Sequence, residues 1–126
     1  MIIETIPLDS ALCITLQDQT RHYFGGYYHV KVLVYCDIPL ELSFFADAAE
    51  YGHAESIMGS SVRFQRILEK MAVPESGIDS VRDSLISAFH DTALAYLSDP
   101  GFPPRFVRSE YRKCVKKPST IRSSRA

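Results

Sequence analysis

The sequence predicts an α+β fold: a small antiparallel sheet of about three strands, with one long C-terminal helix packed on one face. Three observations predict it. Residues 27–38 alternate apolar and polar positions at the two-residue period of a strand. A Gly25-Gly26 pair sits between two aromatic runs, as in a tight hairpin turn. Residues 77–98 carry a wide apolar face at helical spacing.

The first strand is read at residues 11–17, where Leu12, Ile14 and Leu16 share one face. The second places Tyr28, Val30, Val32, Val34, Cys36 and Ile38 on one side and ends at Pro39. A two-residue loop at Gly25-Gly26 makes the numbers of paired residues sum to 51, which sets Leu16 against Tyr35 and points the two apolar faces opposite ways. Either a one-residue bulge near Asp18–Arg21 restores the register or the loop is longer; the bulge is expected.

Residues 43–58 suggest short helical turns, with Gly52 and Gly59 as stops. Residues 61–73 fit a helical stripe (Phe64, Ile67, Leu68, Met71) or a strand face (Val62, Phe64, Leu68). A third strand is preferred, because two strands alone make a poor sheet. The helix over 77–98 has Ser76 or Asp79 as its cap and Ile78, Val81, Leu85, Ala88, Thr92 and Ala95 along its apolar stripe. Phe102-Pro103-Pro104 reads as too proline-rich for regular structure. The expected organisation is a single domain over 1–104 and a basic, partly disordered C-terminal tail over 105–126.

A strand pair ending in Asp37-Ile38-Pro39-Leu40, followed by a helix closing in Tyr96-Leu97-Ser98-Asp99-Pro100-Gly101-Phe102-Pro103, resembles small bacterial proteins that carry no assigned function. Residues 11–40 and 85–113 carry the resemblance. It implies an α+β fold in a bacterial protein and no particular activity.

Composition narrows the function classes. With 46% hydrophobic and 23% charged residues, the chain has the balance of a globular protein. No apolar run approaches the ~20 residues that cross a bilayer, and the start Met-Ile-Ile-Glu-Thr has no basic n-region, so a cytoplasmic protein with no membrane partner is expected. Cys13, Cys36 and Cys114 are too scattered for a disulfide framework or a zinc site. Cys36 reads as a buried structural thiol; Cys114 lies among cations that would favour its thiolate. The net charge of −1 conceals an asymmetry: residues 105–126 hold eight basic residues and one acidic, while the first 104 hold six basic and fourteen acidic.

No phosphate-binding loop, nucleophile elbow or zinc-protease motif is present, and no catalytic residue, metal ligand or cofactor is assigned. His22 and His29 would face each other across a two-residue hairpin, but zinc needs further ligands that nothing places nearby. His53 with Glu55 falls in an expected loop; His90 and Asp91, adjacent on a helix, point apart. The candidate interaction surface has two parts. Tyr23, Phe24, Tyr27 and Tyr28 surround the hairpin tip, where they cap the core, centre a protein interface or stack on bases. Arg105, Arg108, Arg112, Lys113, Lys116 and Lys117 form the basic segment; the first three and Lys116 make one stripe if the segment is helical, with Phe106 and Tyr111 as anchors.

The function this predicts is a non-enzymatic binding or interaction module, whose partner is a second copy of the chain, another protein, or nucleic acid reached through the basic tail. The alternatives are a nucleic-acid-binding accessory protein and an enzyme with an unrecognised site near His22, His29 or His53.

Overall fold

Alternation of buried β-branched residues builds the sheet, and five strands result rather than three. The computed structural model describes residues 1–8 and 12–125, with side chains described through Lys116. The strands are β1 (Ile2–Pro7), β2 (Cys13–Asp18), β3 (Arg21–Phe24), β4 (Tyr27–Pro39) and β5 (Ser61–Pro74). The helices are α1 (Ala48–Met58), α2 (Ile78–Thr92), α3 (Leu94–Ser98) and α4 (Phe102–Arg125). The sheet is antiparallel with order β1-β2-β4-β3, and β5 also pairs β4. Residues 61–73 are thus a strand, paired with the second strand of the sequence reading rather than the first. β1 escaped that reading because it pairs β2 alone and its sequence, Ile-Ile-Glu-Thr-Ile-Pro, does not alternate apolar and polar residues.

The bulge exists, but at the hairpin tip. Pairs from Thr15↔Tyr35 to Asp18↔Val32 sum to 50, as do Arg21↔His29 and His22↔Tyr28. The register then shifts between His22 and Phe24, so that Phe24 pairs Tyr27. Tyr23 is the extra residue. The expected site at Asp18–Arg21 is instead an interruption without a register change: Gln19 N donates to Lys31 O at 2.8 Å, and Lys31 N to Thr20 Oγ1 at 3.1 Å. Leu16 therefore faces Val34, and the buried sides of β2 and β4 coincide.

The chain forms two compact units. The first comprises Met1–Cys36 and Gln65–Pro100. Its core joins Ile14, Leu16, Val30, Val32, Val34 and Cys36 of the sheet with Val73, Phe89, Ala93 and Leu97. The single helix expected over 77–98 is broken at Ala93 (φ −114°). Thr92 Oγ1 donates to the Ala88 carbonyl at 2.7 Å, a bond that bends helices at this point. The buried side runs through Phe89, Ala93 and Leu97, whereas Ala88, Thr92 and Ala95 are exposed. Neither Ser76 nor Asp79 caps α2: Gly77 occupies the N-cap, and Asp79 lies in the first turn, 2.6 Å from Arg82. Within β5, the half-buried positions are Val62, Phe64 and Leu68, yet Val73 is buried. Ala72, at φ 55°, supplies the change of parity.

The second unit comprises Asp37–Phe64 and Gly101–Ala126. Asp47 caps α1 by accepting from Glu50 N at 2.9 Å, and Gly59 (φ 84°) ends it. Gly52, expected as a stop, lies within the helix, and so do His53 and Glu55. Pro103 and Pro104 do not exclude regular structure; they occupy the first turn of α4, where their missing N–H groups would have no helical partner. Phe102 and Val107 are buried with Ile38, Leu40, Phe45 and Ala54. Among the described residues, no helix is long and apolar enough to cross a membrane.

Candidate interaction surfaces

The hairpin tip follows from the bulge. Tyr23, Phe24 and Tyr27 are 54%, 74% and 48% exposed, which excludes core capping for these three; Tyr28 is half-buried. Gly25 adopts φ +58°, the left-handed conformation the turn needs. His22 donates from Nε2 to the Gly25 carbonyl and meets Tyr28 edge-on at 5.3 Å between ring centroids. The turn is thereby braced while three aromatic rings remain in contact with solvent.

The same register separates the two histidines. His22 pairs Tyr28 and His29 pairs Arg21, so His22 and His29 lie on opposite faces. His29 donates to Glu69 Oε1 at 2.7 Å. His90 Nε2 is buried and lies 3.7 Å from Glu4 Oε1, beyond hydrogen-bonding range. Among the described residues, no group of three or more His, Cys, Asp or Glu side chains is placed to hold a metal ion. Cys36 is buried as expected; Cys13 is exposed and Cys114 half-buried.

Two carboxylates of the first β-segments are electrostatically distinctive. Burial pushes Asp18 up, but hydrogen bonds from Thr20 and the charges of Arg82 and the N-terminus outweigh it, holding the carboxyl below its ordinary value of 3.8. Asp37 is also held below its ordinary value, by the paired Arg63 guanidinium at 2.7 and 2.9 Å, against a smaller burial effect. Both carboxylates are held in ion pairs.

In the second unit, α4 carries the basic segment. Arg105, Arg108 and Arg112 recur at three- and four-residue spacing, are exposed, and line a groove of about 350 Å³ with Pro104. Phe106 stacks on Phe102 and meets Phe64 edge-on at 5.7 Å, anchoring the helix as its spacing suggested. Tyr111 is the second anchor. Its hydroxyl shares a 2.7 Å hydrogen bond with His53 Nδ1, and its ring meets both Phe45 and His53 edge-on at 5.7 Å. A larger open cleft, about 610 Å³, lies beside this anchor, lined by Glu50 of α1 and by Arg112, Lys113 and Lys116 of α4 among others. The Lys117 side chain lies outside the described residues.

Comparison with known proteins adds no further constraint: no family model, curated protein or solved structure matches the chain. The chemistry must be read from these residues alone. Sequence reasoning missed the cleft because Glu50 is about sixty residues from Ser109, and only the fold brings α1 beside α4. A partial signal existed: Ser109, Lys113 and Lys116, spaced by four and three, share one helical side.

Proposed function

We propose that the chain is a non-enzymatic interaction module that self-associates through its hairpin tip. The observation that supports this reading is the exposure of Tyr23, Phe24 and Tyr27 on a turn that is itself braced by His22. Rigid aromatic side chains lose little conformational freedom on contact and favour the centre of an interface. Arg21 and Lys31 flank the aromatic patch with polar groups, as an interface rim requires. Sedimentation velocity over a range of concentrations tests the reading. A reversible dimer is expected, and it should be lost in the Phe24→Ser/Tyr27→Ser variant. A chain that stays monomeric at every concentration, or a dimer indifferent to the double substitution, would sink it.

A second reading, a nucleic-acid-binding accessory protein, is favoured by the exposed row of Arg105, Arg108 and Arg112. Guanidinium groups spaced along one helix face hold phosphates by counterion release, with affinity that falls steeply with salt. Titration of labelled single- and double-stranded DNA at low and physiological salt tests it. Salt-sensitive binding that disappears in Arg105→Gln/Arg108→Gln is its expected signature; absence of binding at low salt removes it.

A further inference from the structure

We infer that the cleft of the second unit binds a phosphomonoester carrying an aromatic or apolar group. This goes beyond the two readings above, for it involves neither the hairpin tip nor Arg105 and Arg108. The cleft's volume of about 610 Å³ suits a small molecule. Among the described residues, its lining sets three cations, Arg112, Lys113 and Lys116, against one carboxylate, Glu50. Glu110 pairs with Lys113 at 3.0 Å and offsets part of that charge, but the Lys113 side chain remains 68% exposed.

Among the described residues, the one lining carboxylate is already committed. Glu50 Oε1 accepts from Ala46 N at 2.8 Å, which holds it at the start of α1. The balance therefore favours an anion, and a dianion most, since several donors can share its charge. Ser109 adds a hydroxyl to this lining. One wall is apolar: Val115 is 41% exposed, and Tyr111 is fixed by its bond to His53 and its edge contact with Phe45. A preorganised ring of this kind contributes contact area at low entropic cost. Cations, a hydroxyl and a fixed aromatic wall together describe a ligand with a phosphate at one end and an apolar body at the other.

Isothermal titration of the full chain with phenyl phosphate, inorganic phosphate and benzoate tests this inference. Phenyl phosphate is expected to saturate one site per chain, at least tenfold more tightly than inorganic phosphate or benzoate. Lys113→Gln/Lys116→Gln should weaken it at least tenfold. Val115→Asp should weaken phenyl phosphate more than inorganic phosphate, whereas Arg108→Gln, outside the cleft, should change nothing. Circular dichroism and thermal melting establish that each variant is folded. The inference is overturned by unsaturable heats up to millimolar ligand, by equal binding of all three probes, or by an Arg108→Gln loss as large as that of the lysine pair. None of these results depends on dimerisation or on binding DNA, so the three ideas fail separately.

Discussion

The two units build their interiors by different means. In the first, Val30, Val32 and Val34 are buried because a strand turns every second side chain to the same face. Local alternation is enough to specify the sheet side of that core, which Phe89, Ala93 and Leu97 complete from the helices. In the second, edge-on and stacked contacts gather Phe64, Phe102 and Phe106, and separately Phe45, His53 and Tyr111, from segments far apart in the chain. The first unit can be read from neighbouring residues; the second needs tertiary contacts to exist at all. The difference extends to chemistry: the aromatic anchors of α4 are what present its basic residues in order.

Substitutions at the centre of each unit sharpen that contrast most. Phe102→Ala should cost ~3–5 kcal/mol, since the ring is 2% exposed and meets both Phe64 and Phe106. Leu16→Ala in the first unit should cost ~2–5 kcal/mol, and Leu16→Ile much less, because a strand needs apolar volume of the right parity more than one particular shape. Urea unfolding measures both. A Phe102→Ala cost below that of Leu16→Ile would break the view that aromatic contacts organise the second unit.

Smaller effects test the turn and the anchor. Gly25→Ala should destabilise by ~1–2 kcal/mol, because φ +58° is strained for any residue with a Cβ even though that Cβ would meet nothing within 4 Å. Equal stability would show that the turn has another accessible geometry. Tyr111→Phe removes the hydrogen bond to His53 but keeps the ring, so a loss of ~0.5–1.5 kcal/mol is expected, near the lower end for a solvent-accessible site.

Acid titration gives the most gradual effect. The folded pKa of Asp18 lies below its ordinary 3.8, so its contribution is fully present above that value and is lost as pH falls through the folded one. Arg82→Gln removes one cause of the depression. The urea midpoint of this variant should therefore fall less steeply between about pH 5 and pH 2.5. An acid limb identical to that of the parent chain would show that Thr20 and the N-terminus sustain the shift without Arg82.

How much was legible depended on the distance between the residues involved. The strand at 27–38 and the helical region after residue 77 stand in their own periodicity, whereas 61–73 fits a helix or a strand and is a strand only on the argument that two strands make a poor sheet; the structure keeps all three. Parity reasoning asked for a bulge or a longer loop, and a bulge is present; its placement at Tyr23 was not legible, because a shift anywhere between Leu16 and the turn satisfies the same parity. β1 carried too little alternation to announce itself, and α4 was hidden by the rule that prolines end helices, which does not hold in a first turn.

By itself, the sequence determined the α+β class, the buried face of β4, the charge contrast between 1–104 and 105–126, and the spacing that makes one stripe of Arg105, Arg108 and Arg112. All of these depend on periodicity within a few residues or on counting. Only the tertiary structure decided that His22 and His29 lie on opposite faces, that His53 meets Tyr111 58 residues away, and that Glu50 of α1 joins Lys113 and Lys116 around a cleft. Those arrangements depend on register and packing, in which a one-residue shift reverses a side chain's face and no local pattern records the partner.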